Sequence, residues 1–583
     1  MTIAAPSRRE RGLAMKRCAL VLLLFCAMLA APRAEAATVS TFVDDLTDRA
    51  YRDLDKLVAF GFCGPTIKDQ RPYARSEFAR LVAQAIEKRN AMEAAPQEAQ
   101  GFERLYAERK RLKYIDEIIK RMSDEFREEL VERGAMEGEA PAISGHPVEK
   151  LRMDLIYSSS APLRIIPDNG YGTIDALADP FLAYRDGRHL VDGAQSSFEF
   201  DNRFRFGRHF ALEVTPRVES NSWREGDANV EALLQRGYGV LQAGNAALAF
   251  GRRSVAWGPG KRGALLVTNN ARSLDMVEFL TPSPGRLPWV FSHLGQWRIS
   301  LLGANLGPDA SFRYGWMGAW RLSYLPARYV EVGIGHTVLM GGEGAPSLTA
   351  LEVVGEYFGF RPGGSSPGDK NGANQMMEGS VLLRIPQLWG VEIYGVLANE
   401  DKRDTLKRFL RDGSSYLAGL YLPRLNPSGT ADFRFEFRRM CAIMYRHGLF
   451  WKGSTLNSLI IGDNLGPDAM GAGGVFRYEL SPRFEVNAAF DWEVRRSDIH
   501  GDSGDPDGSL GDIVVVRPGP HEERYRLILA PRYMSAKGTR IDIAAGYERV
   551  LNAGYVQGLS RNNWLAAVGL TLDFDRFFRF SVR

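Results

Sequence analysis

The residues best suited to chemistry lie in one run: Phe250-Gly251-Arg252-Arg253-Ser254-Val255-Ala256-Trp257-Gly258-Pro259-Gly260, followed by Lys261 and Arg262. Gly258-Pro259-Gly260 is a tight turn, because glycine and proline together let the backbone reverse sharply. Trp257 offers a flat apolar plane, and Arg252, Arg253 and Lys261 surround it with positive charge. A ring stacks on a pyranose face and a guanidinium grips a carboxylate in two places, so the combination suits an acidic sugar. Asn269 and Asn270, which close the Leu265-Leu266-Val267-Thr268 stretch, complete a candidate sugar-binding set with Arg252, Arg253, Trp257 and Lys261. The same residues also fit a structural turn with an interfacial tryptophan and lumen-facing arginines, and the sequence leaves both readings open.

No other constellation reads as catalytic. The eight histidines are scattered, with no His-Glu-x-x-His motif. Ser323, His336 and His447 combine into a hydrolase only by supposition, so we expect no enzyme, no catalytic residues and no cofactor. The acidic loop from Gly501 to Asp512 lacks the spaced acceptors ending in Glu that an EF-hand needs, and we expect a surface loop there and no metal. Cys63 and Cys441 lie far apart and read as packed small apolar groups rather than a disulfide. With 74 basic against 70 acidic residues, no charge bias points to nucleic acid.

The elements that must position these residues fall into four parts. Residues 1–36 carry the three parts of a secretory signal: basic Arg8, Arg9, Arg11, Lys16 and Arg17, an apolar run from Cys18 to Ala31, and Ala34-Glu35-Ala36 for cleavage. An acyl anchor at Cys26 is the rival, and bulky Phe25 before it argues against that. Residues 37–135 are helical in period. Ala50, Leu54, Leu57 and Val58 recur at steps of three and four before Gly61, and Phe78, Leu81, Val82 and Ala85 repeat the pattern. From Phe102 to Val131 runs a long charged helix with Leu105, Leu112, Ile115, Ile119 and Met122 on one stripe. Residues 136–147 are a linker rich in small residues.

From residue 148 to 583 the period becomes two. Phe484, Val486, Ala488, Phe490, Trp492 and Val494 alternate with Glu485, Asn487, Asp491, Glu493 and Arg495, and Phe433, Phe435 and Phe437 alternate with Asp432, Arg434, Glu436 and Arg438. Val330, Val332, Ile334, Val338 and Met340 repeat the apolar face. Long strands with one apolar and one charged face fit a closed sheet in lipid around a wet lumen, because only closure pairs every backbone group there. We therefore expect an all-β transmembrane antiparallel barrel with a smaller N-terminal α-helical domain. Dividing roughly 435 residues by roughly 24 for each strand and loop gives about 18 strands, wide enough for a lumen. The closing strand is expected at Ala566, Val568, Leu570, Leu572 and Phe574, with Phe580 ending a second, shorter candidate. A near-repeat, Gly303-Ala304-Asn305-Leu306-Gly307-Pro308-Asp309 and Gly462-Asp463-Asn464-Leu465-Gly466-Pro467-Asp468, reads as turns.

Two resemblances add to this reading. The Trp257-Gly258-Pro259-Gly260 turn with its Leu-rich stretch ending in Asn270-Ala271 resembles the Wzi capsule-assembly family. The stretch from Tyr445-Arg446-His447-Gly448 through Gly462-Asp463-Asn464 resembles a second block of the same family. The resemblance implies an outer-membrane barrel with a helical domain in the periplasm that binds, anchors or helps assemble capsular or exopolysaccharide. Its partners would then be acidic or neutral surface polysaccharide, outer-membrane lipid and the barrel insertion machinery. The alternative is a passive or substrate-selective channel, which an inward-folded loop bearing Trp257 would seal. The helix pair joined by Arg71-Pro72-Tyr73-Ala74-Arg75-Ser76-Glu77-Phe78-Ala79 resembles a single S-layer homology repeat, which implies contact with cell-wall polymer.

Overall fold

Alternation decides the architecture, since successive strand residues point to opposite faces of a sheet. In the strand Phe484–Arg495, Glu485, Asp491, Glu493 and Arg495 are buried while Phe484 and Phe490 are exposed. Apolar side chains outside and charges inside are the inverse of a soluble core. A computed structural model of the chain describes residues 38–94, 102–160, 162–179, 181, 184–221, 229–286, 289–360, 372–400, 413–503, 512–535, 538–574 and 578–582. The signal-like residues 1–36 lie outside the described residues. No described helix is long and apolar enough to cross a membrane.

Eighteen long antiparallel strands close into a barrel. They are β1 Ile143–Ser158, β2 Gly193–Phe206, β3 Phe210–Asn221, β4 Asn229–Ala243, β5 Ala246–Arg253, β6 Leu274–Leu280, β7 Gln296–Asn305, β8 Trp316–Ala327 and β9 Val330–Met340, then β10 Ala373–Ile385, β11 Val391–Asn399, β12 Ser414–Leu422, β13 Ala431–Met440, β14 Ala469–Ser481, β15 Phe484–Arg495, β16 Glu522–Met534, β17 Arg540–Leu551 and β18 Ser560–Asp573. Closure runs through β1, which pairs with β2 on one side and β18 on the other. Both expected closing segments are used: Phe580–Val582 also pairs with β1, at Ile143, Ser144 and Gly145. The barrel begins at Ile143, five residues ahead of the expected boundary at 148. Connections after even-numbered strands are mostly short, such as Pro482 and Arg483 between β14 and β15, and those after odd-numbered strands are mostly long.

Val338 and Met340 share the outward register of β9 and yet are buried. The β9–β10 loop explains it: its helix Ala350–Tyr357 folds back over the wall, where Leu348 and Tyr357 pack on Val338, Met340 and Ala373. The Tyr357 hydroxyl donates to the carbonyl of Ala319 at 2.9 Å.

Helices α1 Arg49–Ala59, α2 Arg75–Ala94, α3 Phe102–Glu125 and α4 Arg127–Glu132 form a bundle at the short-turn end. The single expected helix of residues 102–131 is divided at Phe126, whose ring turns inward to stack on Phe78 at 4.9 Å. Leu54, Leu57, Phe78, Val82, Ile115, Met122 and Phe126 make the bundle's own core. The other face of α1 is cationic and meets the barrel. Arg49 pairs with Glu479, Arg52 with Glu485 at 2.6 Å, and Lys56 with Asp432 at 3.0 Å. Burial explains why such charges must be matched one to one, since an unpaired buried ion costs several kcal/mol.

Candidate functional site

The β5–β6 loop, residues 254–273, folds into the lumen instead of reaching outward. Gly258, at φ +94°, takes a backbone conformation open mainly to glycine, and this starts the inward turn. Below the loop lies the extended link of the helical segment. Gln70 and Arg71 pair with Trp257 and Ala256, the Gly258 amide donates to the Asp69 carbonyl at 2.8 Å, and the Arg71 guanidinium donates to the Gly258 carbonyl at 3.1 Å. Above it lies the β13–β14 loop, residues 441–468. Thr268 donates its amide to the Ile461 carbonyl at 2.8 Å, and the Tyr445 hydroxyl donates to the Leu265 carbonyl at 2.6 Å. The β1–β2 loop adds its own strand pairings to this cap, at Leu177 with Leu459. The lumen is thus filled by three stacked layers around one apolar core that includes Trp257, Leu265, Leu266, Met444, Tyr445 and Leu459.

Charge fastens the lowest layer to the wall. Asp69 receives the Arg321 guanidinium at 2.6 Å, and Ser323 and Ser380 both donate to it. Lys68 bridges Asp55 at 2.6 Å and Glu392 at 2.8 Å. The turn-like second copy of the near-repeat belongs to the plug as well: buried Asp463 pairs with Arg438 of β13 at 2.8 Å.

The six candidate residues are not brought to one surface. Arg252 and Arg253 are neighbours on β5 and point opposite ways. Arg252 lies on the outer side, held by Asp275 of β6 through two bonds of 2.7 Å. Arg253 points inward, pairs with Glu278, and covers the Phe42 ring at 3.6 Å from its centroid. Trp257 is 1% exposed, so neither face of its ring is open to a sugar. Asn270 donates to the Ile460 carbonyl at 2.9 Å and holds two layers together.

Lys261 and Asn269 differ, because both line a cavity of about 410 Å³ between the helical segment, the plug loop and the wall. Its lining carries eight basic groups, among them Arg49, Arg71, Arg262 and Arg434, against the three carboxylates of Asp48, Asp55 and Glu485. Burial, with Arg71 close by, pushes the Lys261 ammonium well below its usual range. The Nε atoms of Arg71, Arg262 and Arg434 are buried and have no hydrogen-bond partner among the described residues. Buried donors without acceptors favour an incoming anion. The sequence signal for this cavity was partial: Arg434 stood on the charged face of β13, but nothing placed the α1 arginines opposite it.

A family description, capsule assembly protein Wzi, matches residues 174–565, well over half of the chain. The chain belongs to the Wzi capsule-assembly family. Its β-barrel is accordingly an outer-membrane barrel. The solved structure of Wzi from Escherichia coli has the same fold, with a TM-score of 0.58 and 15% identity over 92% of this chain and all of that one. That protein is described as an outer-membrane protein involved in group 1 capsule assembly and as a carbohydrate-binding β-barrel. An uncharacterized 55.8 kDa protein in the cps region of Klebsiella pneumoniae is 24% identical over 191 residues, covering 31% of this chain. The matched stretch spans 35% of that relative's length. The family match begins at Ile174, inside the β1–β2 loop, so the helical segment with its S-layer-like link lies outside it.

Proposed function

We propose that this barrel binds surface polysaccharide, and so anchors or helps assemble a capsular or exopolysaccharide layer without catalysing a reaction. Family membership and the carbohydrate binding described for the Escherichia coli relative support this reading. The observation that carries it is the filled lumen. A channel needs a continuous aqueous path, and three buried layers joined by hydrogen bonds and ion pairs oppose one. Short turns characterise the periplasmic end of outer-membrane barrels, which supports a periplasmic helical bundle within reach of cell-wall polymer. Residues 1–36 supply the export signal, and β18 is the strand offered to the insertion machinery.

Within this reading the cationic cavity takes the acidic groups of polymer that reaches it from the helical-bundle side of the plug, with Lys261 and Asn269 as contacts. Arg253, Trp257 and Asn270 act by holding the plug, and Arg252 stiffens the outer rim. Losing one charge-assisted contact costs about 1.5 to 3 kcal/mol, roughly a ten- to hundredfold loss of affinity. Deleting the gene should lower cell-bound polysaccharide and raise the shed fraction. Complementation with Lys261→Gln should restore a heat-modifiable barrel but not full retention. Unchanged retention in the deletion strain would overturn the function, and full retention with Lys261→Gln would overturn the site alone.

A further inference from the structure

We propose that the long-loop end of the barrel holds one zinc ion on Asp468, Asp498 and His500. The three residues come from two loops, Asp468 from the end of the β13–β14 loop and the others from the β15–β16 loop, which is why no spacing motif announces them. One ligand atom from each lies within 4.8 Å of the other two, and all three residues are buried. The side chains of Asp468 and His500 are 9% and 6% exposed.

The contact between Asp468 Oδ2 and His500 Nε2 is 3.7 Å, too long for a hydrogen bond. It is close to the edge of a zinc tetrahedron, which is about 3.4 Å for ligands roughly 2.1 Å from the metal. Asp468 Oδ2 and His500 Nδ1 have no hydrogen-bond partner among the described residues. A fully buried carboxylate oxygen left without a donor is costly, and a divalent cation removes that cost. The backbone holds the pair in place: His500 donates its amide to the Asn169 carbonyl at 2.7 Å, and Asp468 donates to the Cys441 carbonyl at 3.1 Å. His521 Nε2, 3.2 Å from Asp498 Oδ1, stands outside the three-residue set and orients that carboxylate.

The nearby cations leave room for the ion. Arg446 is spent on the carbonyls of Ile166, Pro167 and Gly172, and Arg496 reaches Asp468 only at 3.9 Å with a third of its side chain in water. Two carboxylates neutralise a divalent charge. The His500 imidazole selects a first-row transition ion over calcium or magnesium, and zinc takes a mixed nitrogen and oxygen set. Bound there, zinc would tie together the loops at 169, 468 and 500 that cap the plug.

The test uses full-length, tag-free protein in detergent, stripped with chelator and dialysed against zinc. One zinc per chain should be retained. Asp468→Asn and His500→Gln should each weaken binding at least a hundredfold while the barrel stays heat-modifiable, and His521→Gln about tenfold through the Asp498 carboxylate it orients. Cobalt added to the stripped wild-type protein should give the intense visible bands of a tetrahedral site. That readout decides the matter even where a variant does not fold. Substoichiometric zinc in the wild type, absence of the cobalt bands, or unchanged affinity in folded Asp468→Asn and His500→Gln would overturn the proposal.

Discussion

Replacing Trp257 by Ala separates the plug from the barrel that surrounds it. The indole is wholly buried in the apolar core that the loop layers share with the inner wall, so its removal deletes packing there while leaving the hydrogen-bonded ladder of the wall intact. Truncating a buried aromatic to Ala costs about 3 to 5 kcal/mol, the sum of lost transfer energy and the cavity left behind. At roughly 1.4 kcal/mol for each tenfold, the open population of the plug should rise between a hundredfold and a few thousandfold. Hydrogen exchange reads this directly. The reporters are the amides of Trp257, bonded to the Val267 carbonyl at 3.1 Å, Gly258, bonded to Asp69, and Thr268, bonded to Ile461. Their exchange should accelerate by that factor while amides of β14 and β15 keep their protection. Trp257→Phe, which retains most of the apolar area, should show a much smaller acceleration. If the reporters in Trp257→Ala exchange at the wild-type rate, the tryptophan does not hold the plug. If β14 and β15 accelerate in parallel, plug and barrel open as one unit and the layered account fails.

Two further outcomes follow from the charges. Arg253→Ala strands buried Glu278 without its partner and should cost about 3 to 5 kcal/mol in the denaturant unfolding of the barrel, whereas Arg252→Ala, whose partner Asp275 is half exposed, should cost less than about 1 kcal/mol; equal costs would contradict the assigned faces. Burial pushes the carboxyl of Asp179 in the β1–β2 loop up to about 7 and that of Asp186 up to about 6. Between the unfolded Asp value near 4 and these raised values the docked loop binds more protons than the released one, so docking weakens as pH rises from about 4 to 7. Intrinsically corrected exchange of residues 162–179 should be slower at pH 5.5 than at pH 8, and Asp179→Asn should remove most of the difference; an undiminished pH dependence in that variant would count against the assignment.

The barrel was legible because its determinant is local. A strand that buries charge and exposes phenylalanine can be read from its own dozen residues, and β13 and β15 read correctly for that reason. The plug was not, because its determinants are pairs far apart in the chain. Thr268 meets Ile461 and Gln70 meets Trp257, and neither pairing leaves a period in the sequence. A Trp-Gly-Pro-Gly turn looks the same whether it stands in solvent or folds inward. One signal was present and usable: Arg252 and Arg253 are adjacent on a strand, so they had to face opposite ways and could not both flank one ligand. Val338 and Met340 show the converse limit, where a correct outward register is overlaid by a loop helix from outside.

The way the plug is fastened bears on binding against conduction. Sliding the helical link out of the lumen would strip Asp69 from Arg321 and Lys68 from Glu392, and leave those wall groups facing a dry interior until water followed. Breaking a buried pair by removing one partner costs about 3 to 5 kcal/mol where nothing else compensates, and here Glu378 on Arg321 and Arg384 on Glu392 lower that cost without removing it. Thermal gating by wholesale withdrawal is therefore rare on that arithmetic. What remains mobile at lower cost is Lys261 together with the Arg71 guanidinium, which is bonded to loop carbonyls, whereas Arg262 is tied to Asp491 of β15 and Arg434 to Asp55. Fixed charges that close the lumen, with unmatched donors around a cavity, favour the proposed retention of polymer over its passage.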